Sequence, residues 1–200
     1  MSRSTHDILY ILVKGLIVMT GDDLGTLKIG DKIIDFGRVY RIFKISQTKT
    51  LQGKKRLIYF RPFYRKNNNQ DLVCTIPEES LSQTNIRRPL SRKALKEGLE
   101  QFSFYSTPSG MINFDQTKKI TSLNDFSAMV DLAKDLYFSR KGENKEFTVS
   151  QKRIFDSLIG RVCEEAALVL GQEPDWVKKK IDLLLRRGLK NKPVKTASKE

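Results

Sequence analysis

Histidine, cysteine and paired carboxylates carry most enzymatic chemistry, and this chain offers few of them in usable arrangements. His6 is the sole histidine, so neither a Ser-His-Asp relay nor a histidine-bearing zinc site can be assembled. Cys74 and Cys163 are far apart, with no Cys-x-x-Cys spacing, which suits two packing thiols in a reducing compartment. Glu164 and Glu165 are adjacent carboxylates late in an apolar helical pattern, with no reacting partner in the sequence around them. No Gly-x-Gly-x-x-Gly or Walker-type loop cradles a phosphate. The expectation is a chain without catalytic residues, metal or cofactor.

Charge is the chemistry that remains. The 200 residues carry 37 Lys and Arg against 23 Asp and Glu, a net charge of +14, which points to a polyanionic partner such as nucleic acid or an acidic protein surface. Lys118, Lys119, Lys134, Arg140, Lys141, Lys152 and Arg153 gather where the sequence turns helical and around an inter-helix turn. Such a set can track phosphates largely without reading bases.

Two textures position these residues. Residues 31–76 are rich in Ile, Val, Phe and Tyr, broken by turn material at 46–55 and 65–71. They predict a small all-β module, with Pro62 ending or edging a strand. The apolar run 8–19 is interrupted by Lys14-Gly15 and is shorter than a membrane span, so it is read as a strand or short buried segment. After Pro77 an extended connector leads to Ser91, an expected N-cap, and then to Leu95, Leu99 and Phe102 at helical spacing.

A second helix is expected from Asn124 or Asp125, with Phe126, Met129, Val130, Ala133, Leu136 and Tyr137 inward and Asp131 and Lys134 outward. A third opens on the capping box Thr148-x-x-Gln151 and ends at Gly171. A fourth starts at Pro174, turns Val177, Ile181, Leu184 and Leu185 inward, and holds the sole tryptophan, Trp176, expected in the core or as a partial cap. Residues 191–200 read as a disordered basic tail.

Three stretches resemble the CarD/CdnL family of bacterial RNA-polymerase-binding transcription factors. "LKIGDKIIDFGRVYRIFKI" is similar to the family's opening Gly-Asp, apolar strand and glycine turn, here shortened to Asp35-Phe36-Gly37. "CTIPEESLSQTNIRRPLSRKALKEGLEQF" resembles its strand end, Ile-Pro and connector into the first helix. "FSAMVDLAKDLYFSRKGENKEFTVSQKRIFDSLIGRVCEEAALVLG" resembles its pair of helices. The match runs over about residues 27–188, in order and at matching spacings.

The resemblance implies an α+β chain with four parts. They are an N-terminal extension (1–26), a Tudor-like or SH3-like β-barrel module (27–82), an all-helical DNA-contacting domain (83–190) and the tail. It further implies docking on the RNA polymerase β subunit and contact with promoter DNA at the upstream edge of the melted region, stabilising the open complex. The candidate docking edge is the strand "DLVCTIP", residues 71–77, and the polymerase-contact candidates are Thr48, Lys49, Arg56, Val73, Cys74, Thr75 and Ile76, with Thr75 standing where the family often has a basic residue. Met111 and Phe114 are the candidate minor-groove wedge where the family places a tryptophan.

The expected protein is a monomeric, nucleoid-associated cytoplasmic protein without a membrane partner. The alternative is a free-standing basic DNA- or RNA-binding protein.

Overall fold

Ile33, Tyr40, Ile42, Ile58 and Phe60 fall at alternate positions along their strands, and a period of two turns them all to one side of an antiparallel sheet, while Ile34 and Val39 are buried on the other. In the computed structural model, which describes residues 24–50, 53–64, 69–108, 114–141 and 145–192, this sheet has four strands in the order β1-β2-β3-β4. They are β1 (Lys32–Asp35), β2 (Arg38–Thr50), β3 (Gly53–Pro62) and β4 (Cys74–Pro77). The chain is therefore α+β, a four-stranded antiparallel sheet followed by helices. Among the described residues β1 and β4 remain at opposite edges, so the sheet is open where a closed barrel was expected.

The β1–β2 turn is two residues long, with φ of 47° at Phe36 and 71° at Gly37. Positive φ at both positions matches the right-handed twist of a hairpin. Gly37 is also required by space, because a Cβ there would lie 2.9 Å from Met129 Sδ.

The segment 46–55, expected as turn material, is instead mostly strand. β2 and β3 pair as far as Thr50 opposite Gly53, well past the flanking strands, which reach only Arg41 on one side and Leu57 on the other. A two-stranded ribbon with neither face in a core carries no apolar alternation, which is why its sequence resembled a loop.

Leu24 and Leu27 pack into the core of the sheet with Leu81 and Ile86, so this core draws on residues outside 27–82 at both ends. A 3₁₀ helix (Glu78–Gln83) follows β4 and takes up the start of the expected extended connector, and Arg87 then bridges to Ile34 of β1.

The helices are α1 (Arg92–Glu100), α2 (Phe114–Ser122), α3 (Phe126–Lys141), α4 (Val149–Leu170) and α5 (Pro174–Lys190). Ser91 Oγ accepts from the Ala94 amide, and Thr148 and Gln151 form the full capping box. Asp125 caps α3 by accepting from Ser127 and Ala128. Leu95, Leu99, Phe102, Leu136, Leu158 and Ile181 meet in one helical core.

No helix among the described residues is long and apolar enough to cross a membrane. Residues 1–23, including the apolar run 8–19, and the tail from 193 onward lie outside the described residues.

Candidate protein and nucleic-acid interfaces

Among the described residues β4 pairs with β3 alone, from Cys74 opposite Phe60 to Pro77 opposite Leu57. Its other side is a sheet edge, where unpaired N–H and C=O groups can accept another strand. The ladder covers only the last four residues of the expected strand 71–77. Leu72 and Val73 just before it are 46% and 53% exposed. Thr75 is exposed and faces away from the core, whereas Ile76 packs partly against it. Burial, with Asp35 nearby, pushes the Cys74 thiol above its ordinary range, which makes it a poor nucleophile.

The other polymerase candidates lie elsewhere. Thr48 and Lys49 are exposed on the β2–β3 ribbon. The Arg56 guanidinium is engaged inside its own module, donating to Glu78 Oε1 at 2.6 Å and to the Leu27 carbonyl at 2.8 Å.

The candidate DNA residues divide into groups. Lys118 and Lys119 are exposed on α2 near the start of α3. Arg140 and Lys141 close α3, a helix of 16 residues and so about 24 Å long. Lys152 and Arg153 open α4 on the far side of the same turn. Lys141 pairs with Glu146 at 2.6 Å and Lys152 with Asp156 at 2.8 Å, and Arg153 is exposed.

Lys134 does not sit on an outer polar face as expected. It is only 5% exposed, because α3 is surrounded by its neighbours, and its ammonium reaches Asp131 at 3.6 Å. Of the wedge candidates, Met111 lies outside the described residues, and Phe114 is the first residue of α2 with its side chain outside them.

Trp176 is a second correction. Val177, Ile181 and Leu185 form the buried stripe of α5, and Trp176 lies one position, about 100°, off that stripe. It is 47% exposed, with Lys180 Nζ 5.5 Å from its ring centroid. Leu184, expected inward, is half-buried. Lys178, Lys179, Arg186 and Arg187 are exposed on the same helix. This basic α5 surface went unpredicted, although the run 178–180 was its visible signal.

The paired carboxylates at 164–165 hold the sheet to the helices. Glu165 is fully buried and accepts from both terminal guanidinium nitrogens of Arg87 at 2.7 Å, together with the Leu90 amide at 2.9 Å. Glu164 accepts from Arg38 at 2.7 Å. Asn124, at φ 59°, accepts from the Gly37 amide and donates to the carbonyls of Ile34 and Asn85, both at 2.7 Å. Burial, then Glu164 and Glu173, pushes the Tyr64 hydroxyl up to about 12. The two modules are thus joined by a largely buried hydrogen-bonded network, which suits a rigid body presenting two surfaces at a fixed distance.

No protein-family model matches the chain, and no curated protein is significantly similar to it. Among the described residues no group of three His, Cys, Asp or Glu side chains could hold a metal ion.

Proposed function

We propose that this chain tethers RNA polymerase to promoter DNA, with β4 pairing edge to edge with the polymerase β subunit and the helical part laying basic side chains on the duplex. The observation that carries the proposal is the edge position of β4, with Leu72, Val73 and Thr75 exposed beside it, at the place where the sequence resemblance puts the docking strand. The open sheet would then be a Tudor-like module with an incompletely closed barrel.

Arg140, Lys141 and Arg153 around the α3–α4 turn are the first DNA contacts in this scheme, with Lys118 and Lys119 as a second group and Lys134 removed. Polymerase docking raises the effective concentration of a weak phosphate-binding face at one place. Specificity then comes from polymerase. Such a tether favours the open complex and needs no catalytic residue or cofactor.

Open-complex lifetime on a promoter tests the proposal. Wild-type protein should lengthen it, and the triple variant R140E/K141E/R153E should lose that effect while still co-purifying with polymerase. An unchanged lifetime with wild-type protein overturns the proposal.

A further inference from the structure

The outer face of the sheet is not an ordinary solvated surface. The four strands contain nine Lys and Arg residues and one carboxylate, Asp35. Three of those cations stand in one row across three strands, since Lys32 is directly opposite Arg41 and Arg41 directly opposite Arg61. Like charges directly opposed on one face destabilise a sheet. Among the described residues none of the three forms an ion pair with a carboxylate.

Aromatic rings are set among these cations. Tyr59 and Phe63 alternate with Arg61 on the outward side of β3 and its continuation, and Phe43 lies beside them with its centroid 6.4 Å from that of Tyr59. Arg61 sits 5.0 Å above the Phe43 ring, Lys44 5.0 Å above Tyr59, and Lys32 5.1 Å above Phe63. Phe63 is 38% exposed.

We propose that this outer face binds single-stranded nucleic acid, with bases stacking on the Phe43, Tyr59 and Phe63 layer and phosphates lying along Lys32, Arg41 and Arg61. The charge row calls for an anion. Rings and guanidinium planes call for flat partners, and unstacked bases supply both needs in one polymer. Duplex DNA keeps its bases stacked and an acidic peptide leaves the rings idle. The site is separate from the β4 edge and from the helical basic groups, so it goes beyond the polymerase tether and stands without it.

The test uses the full chain alone, without polymerase, and labelled oligo-dT, oligo-U and a duplex of equal length. The single strands should bind more tightly than the duplex. F43A/Y59A should weaken single-strand binding at least tenfold and leave duplex binding unchanged. R41Q/R61Q should flatten the single-strand salt slope by about 1.4, or about 0.7 for each of two phosphates.

The R41Q/R61Q arm changes only surface side chains and decides the matter if the aromatic variant fails to fold. An unchanged salt slope in R41Q/R61Q, or single-strand affinity unchanged in a folded F43A/Y59A protein, overturns the proposal. So does a folded F43A/Y59A protein whose duplex affinity falls as much as its single-strand affinity. Comparing oligo-dT with oligo-U distinguishes a DNA from an RNA strand as the preferred ligand.

Discussion

The Arg87–Glu165 pair is a case where removing one partner costs far more than the pair contributes. Glu165 is fully buried while the Arg87 side chain is 15% exposed, and truncating the guanidinium strands a carboxylate away from water. Arg87→Ala should lower unfolding free energy by about 3–5 kcal/mol, measured by urea titration. Asp35 behaves in the opposite sense. Burial raises its pKa against the opposing hydrogen bond from the Phe36 amide, so its native form favours the proton. Its contribution to stability is therefore fully present below the ordinary carboxylate range and is lost as pH rises through the raised native value. Asp35→Asn should be more stable than wild type near neutral pH, with the advantage gone in acid, as read from denaturation midpoints. Neither role was legible in the sequence. Glu165 meets a guanidinium 78 residues away and Glu164 one 126 residues away, and no local spacing encodes such contacts. Caps are local, so Ser91 and Thr148 could be read directly. Trp176 was misplaced because aromatic character alone suggested the core, whereas its position off the Val177–Ile181–Leu185 stripe already argued for exposure.

At the scale of elements, local periodicity placed most of the helices, because Leu95, Leu99 and Phe102, or Phe155, Leu158, Ile159 and Val162, repeat with the helical turn and face one core. It failed for the β2–β3 ribbon, whose distal half buries neither face, and for the outward side of α3, where Lys134 is covered by neighbouring helices. The Lys32, Arg41 and Arg61 row was likewise invisible before the register was known, since its members come from three strands. Removing the central charge should relieve repulsion from both sides. Arg41→Thr is expected to stabilise the fold by about 0.5 kcal/mol in thermal or urea unfolding. Loss of the capping-box hydroxyl at the start of α4 in Thr148→Ala should cost about 1 kcal/mol by the same measurement.

For the whole molecule, the buried network of Arg38, Arg87, Asn124, Glu164 and Glu165 sets the sheet against the helices. The β4 edge and the α3–α4 turn are therefore held in one geometry, as the proposed tether, with its weak second contact, requires. The net charge of +14 raised the expectation of an anionic partner, but it could not distribute that charge among the sheet face, the α3–α4 turn and α5. The proposed tether makes β4 the polymerase-binding edge. A photo-activated cross-linker placed at Thr75 of the full chain, irradiated with bacterial RNA polymerase holoenzyme and mapped by mass spectrometry, tests it most directly. A cross-link to the β subunit is expected, and it should disappear when Val73 is also changed to Asp, with the thermal midpoint unchanged. Cross-links to nucleic acid alone, with none to the β subunit, would contradict it.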